Sequence, residues 1–259
     1  RKWALGPELG RGAFGQVHMG LDQVTGEFIA VKACLISGGR SSTASKLSNE
    51  IRLMQRCRHV NIVQYLGTEL SPAGVYIVQE WVPGGSITSI LSNFGAFTQP
   101  VTQCYARQIL HGLVYLHSCG TVHRDLKGDN VLVSAGGIVK IADFGTSEQL
   151  YDLQDDRGHL QGTLHFMAPE VLQRQPQGMA VDVWAFACLV LQMHTGNMPW
   201  ASELGARKRL PRLLRLMQAH RMPPLPNDLN PTMRAALTAC FSWNPAERPT
   251  AKHLVHHGY

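Results

Sequence analysis

At 259 residues, with 44% apolar and 16% charged side chains, the chain is long enough for one large domain or two small ones around a sizeable core. No run of about eighteen apolar residues occurs, so no transmembrane helix is expected; the opening RKWALGPELG has neither Met nor an apolar signal region and reads as the start of a domain cut from something longer. The net charge of +6 admits a nucleic-acid or membrane partner, but no basic-plus-aromatic pattern accompanies it, which leaves a polyanionic ligand or a solvated basic surface.

Residues 1 to about 82 alternate strand-like runs with turns. GQVHMGLD (15–22), EFIAVKAC (27–34) and GVYIVQEW (74–81) each carry β-branched or aromatic residues bounded by Gly, Asp or Pro, which predicts strands. One helix interrupts them: in SKLSNEIRLMQRC (45–57), Leu47, Ile51 and Met54 fall at i, i+4 and i+7. VPGGS (82–86) is a turn-rich joint, and helical patterns dominate from residue 83 onward. Thr98 is placed to cap a helix running through Cys119, with Val101, Tyr105, Ile109, Leu113 and Leu116 as its apolar stripe and Gly120 as its stop. VDVWAFACLVLQMHTG (181–196) is apolar on almost every face after Asp182, the pattern of a helix buried all round. The fold class expected is α+β: a small antiparallel β-sheet lobe with one helix (1–82, hinge included) and a larger, mainly helical lobe (83–259). Cys34, Cys57, Cys104, Cys119, Cys188 and Cys240 never fall as C-x-x-C, which predicts reduced, mostly buried thiols and a cytoplasmic protein; the dispersed His give no zinc pattern.

Several short motifs carry chemistry. GRGAFGQV (10–17) bridges two strand-like runs instead of opening a helix, which argues against a dinucleotide fold. Gly10, Gly12 and Gly15 allow backbone to approach phosphate oxygens, and Val17 is positioned to cover a flat apolar base. Lys32, in IAVKAC, has apolar neighbours on both sides, so its amine needs a phosphate or an acid such as Glu50. Taken alone, Glu50 pairs more simply with Lys46 along its own helix. In HRDLKGDN (123–130), Asp125 is a candidate base for a hydroxyl attacking phosphorus, Lys127 a counter-charge for the moving phosphate, and Asn130 an oxygen ligand for Mg²⁺. DFG (143–145) follows a strand-like IVKIA: Asp143 is a second hard oxygen ligand, and Gly145 frees the chain to turn. MAPE (167–170) comes next.

Each motif alone is near noise, but their order is that of the protein-kinase signature. Over essentially all 259 residues the sequence resembles the eukaryotic protein kinase family. The resemblance implies the bilobal protein-kinase fold, with ATP and Mg²⁺ as cofactors and the following roles. Lys32 would hold the α- and β-phosphates and pair with Glu50, Asp125 would be the catalytic base, and Asn130 and Asp143 would bind the metal. The nucleotide would lie against Leu9, Gly10, Arg11, Gly12, Ala13, Phe14 and Gly15, with Val17, Ala30 and Leu132 sandwiching the base. Gln79 would be the gatekeeper, and Glu80 to Val82 the hinge that bonds adenine through its backbone. Met54, Tyr65, His123 and Phe144 would stack as an apolar spine, while Asp182 and an Arg248–Glu170 pair would brace the large lobe.

Lys127 in HRDLKGDN and Thr163 in GTLHFMAPE resemble the Ser/Thr-specific kinases. Together with NIVQYLG, VPGGSI, DFGTS, MHTGNMPW and CFSWNPAERPT they resemble the MAP kinase kinase kinase group. That likeness implies a downstream MAP kinase kinase as protein substrate and regulatory domains flanking the chain. Gln79, Trp81 and DVWAFACLVL depart from the group's usual residues without removing a catalytic group. A pseudokinase scaffold and a small-molecule kinase are the rival readings, opposed respectively by the full set of catalytic groups and by APE, Thr163 and the closing RPT. Between Gly145 and Ala168 the only hydroxyls are Thr146, Ser147, Tyr151 and Thr163. Asp155 or Asp156 is therefore a candidate stand-in for an activating phosphate facing Arg124, with a solvated acidic turn as the alternative. The basic stretch GARKRLPRLLRLMQAHR (205–221) admits a docking site for an acidic partner, a calmodulin-type target, or a solvated helix broken by Pro211.

Overall fold

Strands β1 (Trp3–Gly12), β2 (Gly15–Asp22), β3 (Phe28–Leu35), β4 (Tyr65–Ser71) and β5 (Gly74–Glu80) form one antiparallel sheet in the order β1-β2-β3-β5-β4. The computed structural model describes residues 2–12, 15–35, 41–72, 74–149, 163–204 and 210–257. The three predicted strands are the inner ones, β2, β3 and β5. The two that sequence reasoning missed, β1 and β4, are the edges. β1 carries Pro7 and a register shift between Leu5 and Glu8, both tolerated where one side of a strand lacks a partner. Helix α1 (Ser41–Arg56) crosses behind the sheet, burying Leu47, Leu53 and Met54. On the other face, Trp3, Ile29, Val31 and Tyr76 make a satellite core, with the Trp3 and Tyr76 rings 5.5 Å apart.

Helix α2 (Ile87–Phe94) starts at Ser86, whose hydroxyl accepts the Ser89 N–H. Helix α3 (Gln99–Ser118) has Thr98 at its N-cap, in extended backbone but without a side-chain cap bond, and ends before Gly120, which takes the left-handed φ of 70°. Its buried stripe differs from the one expected. Ile109, Leu113 and Leu116 are buried, but Val101 is 38% exposed and Tyr105 only half-buried, while Thr102, Ala106, Leu110 and Gly112 turn inward. Small residues on that face let α3 approach its neighbours closely: a side chain at Gly112 would press on the Asn61 carbonyl and Ile141.

The two-residue strands β6 (Thr121–Val122) and β9 (Glu148–Gln149) pair with each other, as do β7 (Val131–Val133) and β8 (Val139–Ile141). These ribbons bracket the HRD and DFG segments. Helices α4 (Pro169–Leu172), α5 (Ala180–Thr195), α6 (Ala201–Leu204), α7 (Leu210–Gln218), α8 (Pro231–Cys240) and α9 (Ala251–His257) complete the larger region. Every residue of α5 from Val181 to Met193 is buried, as its all-round apolar pattern requires, and Gly196 closes it in left-handed backbone. Pro211 sits in the first turn of α7, where its missing N–H costs no helical bond; residues 205–209 lie outside the described residues. Among the described residues, no helix is long and apolar enough to cross a membrane.

Candidate active site

The HRD segment is held in place from below by α5. Asp182, wholly buried, accepts the His123 and Arg124 backbone N–H groups at 2.9 Å each and the His117 ring nitrogen at 2.9 Å. Arg124 has a φ of 69°, costly for a residue with a side chain, and the bonds to Asp182 over-determine that turn. Burial pushes the Asp182 carboxyl up, but the His117 bond and the charges and N–H groups around it outweigh burial and hold it below the usual range. His117 went unnoticed in the sequence; 65 positions from its partner, it leaves no local signal.

Asp125 sits above this platform with both carboxylate oxygens engaged. Oδ1 accepts from the Thr163 N–H at 2.9 Å and its hydroxyl at 3.1 Å. Oδ2 accepts from Lys127 Nζ at 2.7 Å and Asn130 Nδ2 at 3.1 Å. Lys127 Nζ also reaches the Thr163 hydroxyl at 2.8 Å, closing a triangle of the three side chains. A small, partly open pocket beside Asp125 and Thr163 is lined also by Leu126, Phe166, Met167 and Val171.

Lys32 enters from β3 and joins the two regions. Its Nζ lies 2.6 Å from Glu50 Oε1 on α1 and 2.9 Å from Asp143 Oδ1, so Glu50 turns to Lys32, the partner the family likeness implies. Burial alone would lower the Lys32 pKa; the carboxylates of Asp143 and Glu50 reverse that and keep it charged. Asp143 adopts left-handed backbone, φ 60°, and accepts the Gly145 N–H. Phe144 is thereby turned inward, with its ring 5.7 Å from that of His123. Met54 is buried, and Tyr65 packs against the same core. Asn49, next to Glu50, donates to the Ser147 carbonyl, a second tie between α1 and the DFG segment that sequence reasoning did not find.

Among the described residues, no group of three or more His, Cys, Asp or Glu gathers around a metal position. The donor chemistry nevertheless suits a hard cation. Asn130 spends its amide nitrogen on Asp125, on the carbonyl at 2.8 Å and on Oδ2; Asp143 offers a partly exposed carboxylate. The Asn130 amide oxygen and the Asp143 carboxylate are oxygen donors of the kind a hard cation takes.

At the back of the cleft the polar Gln79 donates to the Met54 sulfur at 3.1 Å, so its amide is partnered by the helix behind it. Glu80 uses its side chain away from the cleft: Oε1 accepts from the Gln64 N–H at 2.7 Å and from Lys140 Nζ at 2.8 Å. Lys140 is another partner the sequence did not reveal. Ala30, Val17 and Leu132 are half-buried and Val82 is buried, whereas Leu9 is 43% exposed. Gly10 and Gly12 end β1, and Gly15 opens β2 opposite Gly12. Gly15 has a packing reason beyond phosphate access: an added Cβ would sit 1.9 Å from the Ala33 carbonyl oxygen. The backbone of Arg11 lies on β1; Ala13, Phe14, Asp155 and Asp156 lie outside the described residues. Farther off, Arg248 grips Glu170 with two bonds, at 2.6 and 2.8 Å, and its guanidinium lies 5.1 Å from the Trp184 ring centre.

The protein kinase domain family matches residues 3–259, and the chain belongs to it. Members of this family use ATP and a divalent metal. The chain is 38% identical over its whole length to "Mitogen-activated protein kinase kinase kinase A" of Dictyostelium discoideum, covering 28% of that protein. It is 37% identical, again over its whole length, to "Mitogen-activated protein kinase kinase kinase 3" of Arabidopsis thaliana, covering 40% of that protein, and 37% identical to Arabidopsis "YODA" of the same class, covering 29%. The chain thus spans well under half of the curated relatives it matches.

Proposed function

We propose that the chain is the catalytic part of a Ser/Thr protein kinase of the MAP kinase kinase kinase type, transferring the γ-phosphate of ATP to Ser or Thr of a downstream kinase. The observation that carries this reading is the fourfold hydrogen bonding of Asp125 by Lys127, Asn130 and Thr163. An acceptor hydroxyl in the cleft beside Asp125 would pass its proton to that carboxylate as its oxygen bonds to phosphorus and the bond to the ADP oxygen breaks. Lys127, fixed between Asp125 and Thr163, would carry its charge to the transferring phosphate. Lys32, kept protonated by two acids, would orient the α- and β-phosphates. Ala30, Val17 and Leu132 would enclose the base, bonded by the backbone of Glu80 and Val82 below Gln79, and β1 and β2 from Leu9 to Gly15 would cover the phosphates. Asn130 and Asp143 would hold Mg²⁺, which when bound neutralises phosphate charge.

Residues 1–82 would then form the nucleotide-closing lobe and 83–259 the lobe that receives protein substrate. The intact Lys32–Glu50–Asp143 and Asp125–Lys127–Asn130 sets, and relatives whose names all denote kinases, give a pseudokinase scaffold no support. All six thiols are free, which favours a reducing, cytoplasmic setting. Ser/Thr preference is tested with matched peptides offering Ser, Thr or Tyr to the protein in Mg²⁺-ATP. Phosphate should appear on Ser and Thr peptides; predominant phosphotyrosine would overturn the assignment.

A further inference from the structure

Residues 196–227 hold Arg207, Lys208, Arg209, Arg212, Arg215 and Arg221 against a single acid, Glu203. That one segment therefore carries +5 of the chain's +6, and the remainder is close to neutral. Glu203 is already engaged, 2.8 Å from Arg221. Within α7, Leu213 and Met217 face inward and are buried in the main core, whereas Arg212 and Arg215, one turn apart, face solvent. The helix is thus anchored on one side and cationic on the other.

We propose that the solvent face of α7, through Arg212 and Arg215, docks an acidic segment of the protein substrate; this rests on the kinase reading above. The packing selects among polyanionic and helix-binding partners. A calmodulin-like partner grips the apolar face of a target helix, and here that face is locked into the core. A membrane surface helix buries its apolar side in lipid, and the same two residues are again unavailable. Nucleic-acid grooves interleave aromatic platforms with cations, but α7 carries no aromatic residue, and the ring of the nearby Trp243 is stacked on His220, 4.4 Å between centres. What remains is guanidinium recognition of carboxylates, for which Arg is the suited cation. Concentrated positive field also speeds the encounter with an acidic partner in a salt-dependent way.

The test compares the parent with Arg212→Glu/Arg215→Glu and the milder Arg212→Gln/Arg215→Gln, all checked for unchanged melting. Binding of a fluorescent Glu-rich peptide and of an inactive MAP kinase kinase is read by anisotropy at low and physiological salt, and KM and kcat are measured on that kinase and on a short neutral Ser peptide. Docking predicts that both acidic ligands bind the parent and lose affinity about tenfold or more in the Glu variant, with KM for the protein substrate rising in parallel. The neutral peptide's kinetics and kcat should not move. Unchanged affinity for both acidic ligands and unchanged KM would overturn it. Because binding is read without turnover, failure of all phosphate transfer would count against the kinase reading and leave the docking result standing.

Discussion

Asp182 illustrates how one buried acid fixes the geometry of groups that never touch it in sequence. It receives three donors, two of them backbone N–H groups flanking the turn into Asp125. Its folded pKa lies below the ordinary carboxylate value of about 3.9, so its stabilisation is complete above that pH and is lost as pH falls through the depressed value. The parent's melting temperature should therefore drop in acid more steeply than that of Asp182→Asn. Asp182→Ala, which strands those donors in the core, should cost roughly 3–5 kcal/mol at neutral pH. Equal acid slopes for parent and Asn variant, followed by calorimetry from pH 7 to pH 3, would contradict this. At this scale the sequence was legible where chemistry is packed into contiguous motifs: Asp125, Lys127 and Asn130 lie within six positions. It was illegible for His117, Asn49 and Lys140, whose partners stand 65, 98 and 60 residues away.

The glycines of the first hairpin separate two roles at the level of the element. Gly15 lies where β2 meets β3, and its missing side chain is what allows the Ala33 carbonyl to approach. Gly10 has open space around its Cβ position. Gly15→Ala should therefore destabilise the protein by about 1–3 kcal/mol through forced overpacking, while Gly10→Ala should leave the melting temperature nearly unchanged. Equal melting temperatures would refute the packing role. Strand legibility follows the same logic of surroundings. β2, β3 and β5 lie inside the sheet and carry β-branched or aromatic runs. β1 and β4 are edges, punctuated by Gly and Pro or alternating between half-buried and exposed positions, and give a weak pattern. On α3 the apolar spacing predicts Val101 and Tyr105 in the buried stripe, but Thr102, Ala106 and Gly112 face inward because close helix packing rewards small side chains as well as apolar ones.

At the scale of the whole molecule, two posts hold the candidate site together. α5 carries the HRD platform through Asp182 and touches Arg248, which holds Glu170 at the far end of the segment beginning at Thr163. On the other side, Lys32 ties β3 to α1 and to Asp143, while Glu80 links the start of β4 to β8 through Lys140. The Lys32–Glu50–Asp143 and Asp125–Lys127–Asn130 groups are thus each fixed by buried or partly buried ties, with Phe144 packed inward against His123. The proposed chemistry depends on that joint assembly converging on Asp125. The direct measurement is phosphate transfer from Mg²⁺-ATP to an inactive MAP kinase kinase, with the parent beside Asp125→Asn, and nucleotide affinity measured in parallel. The account predicts phosphate on Ser or Thr with the parent, and a rate lower by about 10²–10⁴ in the variant with nucleotide binding retained. Equal rates from the two proteins, or ATP binding by the parent without any transfer, would contradict it.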